Sequence, residues 1–240
     1  MNIFQLQERS SILNPGEIHV YHAFQDASPA RIKGLKDVLT GDEIERANRF
    51  KFEKDHNSYV VARSLLRYLL SSYLDKEPGE IDIKYNQYGK PEIASDAKLR
   101  FNVSHSGGIA LYGFAYEREI GVDVEENRPY RNSINIVERF FSKAESGEFS
   151  RIDDSLKEKV FWQCWTRKEA YIKAVGLGLS LPLDTFSILP LSGGSPSIID
   201  GNNLSERWSV RDIDIHDGYS ASIAVEQMDF DVKICKVDID

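Results

Sequence analysis

Trp165, Glu169 and Lys173 recur at every fourth position in the segment Trp165–Ser180. On a helix that spacing places them on one stripe. A carboxylate and an amine leaving one face beside an aromatic ring have two readings. They form a solvated salt bridge, worth about 0.3–0.5 kcal/mol, or they form the working face of a site that holds a cation and a phosphate. Gly176 marks the end of this helix, because glycine accepts the positive φ of a C-terminal cap.

Glu119-Ile120-Gly121-Val122-Asp123-Val124-Glu125 alternates apolar and acidic residues, the period of a half-buried strand. Val122 and Val124 then face the core, while Asp123 and Glu125 leave the opposite face about 7 Å apart. They are either solubilising acids or, in a drier cleft, a pair that repels unless a cation lies between them. Together with Glu169 they offer three hard oxygen donors and no Cys/His cluster. That donor set suits Mg²⁺ or Mn²⁺ rather than Zn²⁺.

The rest of the chain must position these groups. Its 240 residues, 41% hydrophobic and 28% charged, suit an ordinary globular protein of one large domain or two smaller ones. No apolar run is long enough to span a membrane, and the first residues lack a signal-peptide pattern. Cys164 and Cys235, the two cysteines, form no CxxC motif, which fits a reduced, cytoplasmic protein with free thiols. Cys164 reads as core. A net charge of −8 argues against nucleic acid as a partner, so an anionic substrate must be captured by local clusters.

Residues 42–74 read as helical with one short irregularity, basic early (Arg46, Arg49, Lys51, Lys54) and apolar from Tyr59 to Leu70. Short strands follow at Ile81–Tyr85 and Leu99–Ser104, with turns at Gln87–Pro91 and Ser106–Gly108. Ile109–Tyr116 reads as a buried strand. The second half repeats the plan: a helix near Leu156–Val175 stands where Arg49–Leu74 stood, and Ile213–Val225 echoes the strand, histidine, glycine turn and strand of Val103–Ala115. Turn-rich loops are expected at 191–197 and 200–203. The echo favours two similar α+β halves, 1–117 and 118–240, with a site at their junction.

Six motifs in order carry a resemblance to a known family: Tyr88-Gly89-Lys90-Pro91; Phe101-Asn102-Val103-Ser104-His105-Ser106; Gly121-Val122-Asp123-Val124-Glu125; Phe140-Phe141-Ser142-Lys143-Ala144-Glu145; Trp165–Ala174; and Gly178-Leu179-Ser180-Leu181-Pro182-Leu183. The sequence resembles the 4′-phosphopantetheinyl transferases in their long, Sfp-type form. The resemblance implies a pseudo-twofold α+β fold with its active site between the halves. It implies transfer of phosphopantetheine from coenzyme A to a serine of an apo acyl, peptidyl or polyketide carrier protein, with Mg²⁺ and release of adenosine 3′,5′-bisphosphate. The first half would bind coenzyme A and the second would hold metal and catalytic groups, in a monomer.

The resemblance also implies roles. Asp123, Glu125 and Glu169 would hold the metal against the pyrophosphate. Lys173 would reach a phosphate oxygen, and Glu169 and Lys173 are the catalytic candidates. His105, with the Ser104 hydroxyl, would bind phosphate, and Lys90 would lie against the nucleotide end of coenzyme A. Glu145 is either a support for the metal's water shell or an exposed helix acid. Trp162 and Trp165 read as core and site wall.

One stretch departs from the family pattern. Asp42-Glu43-Ile44-Glu45-Arg46-Ala47 begins acidic where long members carry cations for the ribose 3′-phosphate. Arg46 and Arg63 are the remaining candidates, although Arg63 also fits a core helix arginine that snorkels. A non-catalytic coenzyme A or carrier-binding module on the same scaffold is the alternative function. A nucleotide hydrolase is disfavoured, since the chain has no GxxxxGK[ST] loop.

Overall fold

The computed structural model describes residues 5–6, 13–94, 98–129, 133–200, 203–227 and 229–239. Strands β1 (Gln5–Leu6) and β2 (Glu17–Phe24) come first, then helices α1 (Pro29–Leu35), α2 (Gly41–Asn48) and α3 (Glu53–Leu74). β3 (Ile83–Tyr85), β4 (Pro91–Ile93), β5 (Leu99–Ser106) and β6 (Ile109–Tyr116) complete the first half. The second half begins with β7 (Ile120–Glu126), α4 (Ser133–Phe140), α5 (Lys143–Phe149) and α6 (Asp154–Val175). It ends with β8 (Phe186–Leu189), β9 (Ser197–Asp200), β10 (Asn203–Leu204), β11 (Ser209–Asp212), β12 (Tyr219–Val225) and β13 (Asp231–Asp238). The helix expected across 42–74 is therefore two, separated at residues 49–52. The turn expected at 200–203 joins β9 to β10, and its residues 201 and 202 lie outside the described residues.

The strand alternation divides the core. From β2, Ile18 and Val20 face a cluster shared with Ile109, Leu111, Val122, Val124 and Ile223, while Tyr21 and Ala23 face the other way, toward Leu65, Leu69 and Phe114. Two sheets thus pack face to face, one ordered β1-β13-β2-β6-β5 and the other β11-β12-β7. Helix α3 covers the outer face of the first sheet. Helix α6 covers the outer face of the second, against Phe186, Ile188 and Val210. The α+β fold of two similar halves follows from this layering.

The halves match in detail. Both α3 and α6 contain 22 residues, and each uses its fifteenth, Arg67 or Lys168, to grip a buried glutamate. That glutamate is the N3 residue of a capping box on the preceding short helix: Thr40 with Glu43 on α2, Ser142 with Glu145 on α5. The last strand crosses the division expected at 117/118. β13 pairs in parallel with β2, with Val232 opposite Ile18, and so completes the sheet of the first half.

β7 is buried on both faces as far as Val124, and there the half-buried expectation fails. Val122 and Val124 are fully buried between the sheets, and Asp123 is only 3% exposed because α6 lies across the opposite face. Gly121 permits that approach. A Cβ there would sit 2.0 Å from the Ala170 carbonyl oxygen and 2.3 Å from the Ala174 nitrogen, so the residue spacing of α6 and β7 requires glycine.

Candidate active site

β5 and β7 lie side by side without an ordinary backbone ladder. Instead, alternate side chains of β5 accept the N–H groups of β7. Val122 N donates to Asn102 Oδ1 at 2.9 Å, Val124 N to Ser104 Oγ at 3.4 Å, and Glu126 N to Ser106 Oγ at 3.3 Å. Period-two side chains on one strand make such a comb possible. Two of its teeth reach the acids of β7: Ser104 Oγ donates to Asp123 Oδ1 at 2.8 Å, and Ser106 Oγ to Glu125 Oε2 at 2.6 Å.

Helix α6 closes the other side. Glu169 and Lys173, one turn apart, descend toward β7 and line a cleft of about 350 Å³ together with Trp165, Ser104, His105, Asp123 and Glu125. Trp165 forms its wall, edge-on to Phe140 and stacked on Phe161. Lys173 satisfies neither sequence reading in full. Its Nζ lies 2.6 Å from Asp123 Oδ1 and 2.9 Å from Ser104 Oγ, so its fixed partner is the β7 acid and not Glu169.

Burial and like charge dominate the electrostatics. Glu169 is pushed up to about 7, first by desolvation and then by the Asp123 carboxylate. Glu125 is also raised by desolvation, against the lowering effect of the Ser106 hydrogen bond. The ring of His105 reaches solvent, yet the protein crowded around it, and then the Lys173 charge, hold it below the ordinary histidine value. Arg46 acts on His105 in the same direction.

A divalent cation meets a suitable donor set here. Asp123 Oδ2 is buried and makes no hydrogen bond, and such an orphaned carboxylate oxygen calls for a partner. Among the described residues, however, no three His, Cys, Asp or Glu side chains converge as a finished metal cage. The Lys173 amine and the two serine hydroxyls hold oxygens of Asp123 and Glu125.

Other expected residues lie elsewhere. Arg63 is buried and its Nε donates to Glu43, the core arginine of the two readings. Arg46 stays at the surface over the rings of Tyr59 and Tyr85. Lys90 does not line this cleft: its Nζ bridges Glu119 at 2.8 Å and the Ala174 carbonyl at 3.0 Å, tying the β3–β4 hairpin to the end of α6. It borders a larger depression of about 710 Å³ at the start of β5, away from the three acids. Ser104 is buried against Asp123. Glu145 is neither a metal support nor an exposed acid. It is fully buried and accepts from Lys168 at 2.6 and 2.8 Å and from Ile188 N at 2.8 Å.

Comparison with known proteins identifies the family. The family model described as 4′-phosphopantetheinyl transferase superfamily matches residues 119–224, and that described as 4′-phosphopantetheinyl transferase, N-terminal, matches 26–113. The 4′-phosphopantetheinyl transferase HetI of Nostoc sp. is 33% identical over 212 residues, covering 87% of each chain. The 4′-phosphopantetheinyl transferase Sfp of Bacillus subtilis is 30% identical over 199 residues, 83% of this chain and 87% of that one. A mouse L-aminoadipate-semialdehyde dehydrogenase-phosphopantetheinyl transferase is 27% identical over 223 residues, 84% of this chain and 72% of its own.

Proposed function

This chain belongs to the 4′-phosphopantetheinyl transferase superfamily, and from that premise we propose how its cleft works. The enzyme transfers the 4′-phosphopantetheine group of coenzyme A to a serine of an apo carrier protein and releases adenosine 3′,5′-bisphosphate. The serine oxygen attacks the phosphorus nearest pantetheine. The P–O bond to the nucleotide phosphate breaks, its electron pair leaves with adenosine 3′,5′-bisphosphate, and the serine proton passes to the Glu169 carboxylate.

Alignment of the nucleophile and neutralisation of charge are what such a transfer requires. Asp123, Glu125 and Glu169 are the residues that would hold Mg²⁺ or Mn²⁺, which supplies charge neutralisation on the pyrophosphate. Glu169, at about 7, also has the proton affinity of a general base at neutral pH. In the described contacts it has no hydrogen-bond partner that would hold its carboxylate in place. Lys173 supplies a point charge to a phosphate oxygen. His105 meets the anion from the first half, and Arg46, outside the cleft, adds its charge at a distance. Lys90 and Arg63 serve the packing that positions the cleft.

The single observation that carries the metal reading is the buried, unpartnered Oδ2 of Asp123 in the cleft that Glu169 also lines. Asp123, Glu125, Glu169 and Lys173 all meet there, so no observation favours a non-catalytic module. One chain supplies both walls of the cleft, which supports action as a monomer. Cys164 and Cys235 form no disulfide, which supports a cytoplasmic setting, and among the described residues no helix is long and apolar enough to cross a membrane.

The test is incubation of an apo carrier protein with coenzyme A, Mg²⁺ and the enzyme, read by intact mass. A gain of one phosphopantetheine, abolished by EDTA and restored by Mg²⁺ or Mn²⁺, is expected. Undiminished transfer in a rigorously metal-free assay would remove the metal from the mechanism.

A further inference from the structure

We propose that Ser106 is a positioning residue: its hydroxyl holds Glu125 in the orientation from which that carboxylate takes the cation. The inference rests on the metal reading given above and extends it to a residue outside the acidic set.

The geometry leaves this hydroxyl little choice. Its oxygen accepts the Glu126 N–H at 3.3 Å, and its proton is directed to Glu125 Oε2 at 2.6 Å. A serine hydroxyl has one proton to give, and here it lies on one acid. The strand end that carries Ser106 is itself pinned. Gly107 has φ +57°, a conformation that disfavours other residues, and a Cβ there would lie 2.6 Å from Glu126 Cβ. Tyr219 Oη then donates to the Gly107 carbonyl at 2.6 Å, so β12 fastens the β5–β6 turn from outside. The result is a carboxylate fixed by a hydroxyl, on a strand end fixed by a glycine and a tyrosine.

Ser104 makes the same pair of contacts one tooth earlier in the comb, with Val124 N and Asp123. Asp123 has the Lys173 amine as a second tether. Glu125 has no cation within ion-pair distance among the described contacts, so Ser106 is its principal anchor. Supporting hydrogen bonds to metal-binding carboxylates tune affinity by roughly 10–100-fold in metal sites generally.

Mn²⁺ titrated into the metal-free full chain, without carrier protein, tests this through loss of the free-ion electron paramagnetic resonance signal. The parent should bind, and Asp123→Ala should not. Ser106→Ala should bind about tenfold more weakly, while Ser106→Thr, which keeps the hydroxyl, should stay within about threefold of the parent. The metal-free melting temperature of Ser106→Thr should match the parent's, and that of Ser106→Ala should fall by no more than the loss of the hydroxyl's own hydrogen bonds explains. Equal Mn²⁺ affinity in Ser106→Ala and parent overturns the inference and leaves the metal reading standing. So does weakened binding that comes with a lowered melting temperature and is not rescued by threonine, since that marks damage to the comb. A parent that takes up no Mn²⁺ overturns the metal reading and this inference with it.

Discussion

The Lys173 ammonium lies 2.6 Å from Oδ1 of Asp123, a carboxylate whose other oxygen is buried without a partner. Removing the amine leaves that charge with the Ser104 hydroxyl alone. Lys173→Ala should therefore destabilise the metal-free protein by about 1–3 kcal/mol, the cost of a buried charged group losing a hydrogen bond. Lys173→Arg should recover most of this. Added Mg²⁺ should restore part of the alanine variant's stability, because a cation then replaces the amine, while transfer stays strongly impaired. Thermal melting in EDTA and in Mg²⁺ measures both effects, and an unchanged melting temperature in EDTA contradicts the pair.

Glu169 predicts a stability profile with a definite sign. Its folded-state pKa of about 7 stands above the ordinary 4.5. Below pH 4.5 the carboxyl is neutral in both states and contributes no difference. Between about 4.5 and 7 the unfolded chain ionises first, so the folded state loses relative stability, and above 7 the loss is constant. Glu169→Gln should match the parent near pH 4.5 and exceed it by about 1–3 kcal/mol at pH 8, in EDTA. Transfer should fall by about 10²-fold or more. Denaturant melts at the two pH values decide it; parallel profiles would return the carboxyl to an ordinary environment.

Gly121→Ala tests how α6 is seated. Its Cβ meets backbone atoms at 2.0 and 2.3 Å, which no side-chain rotation relieves, so the helix must move off β7. A stability loss of about 1–3 kcal/mol or more is expected, with activity reduced further than the loss of folded protein explains, since Glu169 and Lys173 move with the helix. Activity per folded molecule and a crystal structure of the variant would measure the displacement.

Lys168→Met separates support from chemistry. The Lys168–Glu145 pair is fully buried, and breaking such a pair by removing one partner costs about 3–5 kcal/mol. A large drop in melting temperature is expected, with KM for coenzyme A unchanged in the folded fraction. A changed KM with unchanged melting would give Lys168 a role at the substrate.

The acids of β7 and the α6 stripe were legible because period two and period 3.6 are written in adjacent residues: Asp123 with Glu125, Glu169 with Lys173. What covers a strand is not written there, so the alternation at Val122–Val124 read as half-exposed although α6 buries Asp123. Partners remote in sequence were hidden for the same reason. Glu145 carries a visible S-x-x-E capping signature, but nothing local says that Lys168 will meet it. Arg63 was legible only as two alternatives, and Glu43, twenty residues earlier, decides between them. The polar alternation of Asn102, Ser104 and Ser106 was in plain view. Of the three, Ser104 alone took a role there, as the hydroxyl beside His105 at a phosphate, because a comb that replaces a backbone ladder has no signature on a single strand.

The parallel pairing of β13 with β2 also has a temporal consequence. Synthesis delivers residue 18 long before residue 232, its partner. At about 5–20 residues per second the interval is roughly 10–40 s. Throughout it β2 presents an unpaired edge, the kind of surface on which chains stick to one another, and the pairing that protects it is of the slow, non-local kind. The yield of native enzyme in a cell therefore depends on how that edge is sheltered until β13 arrives.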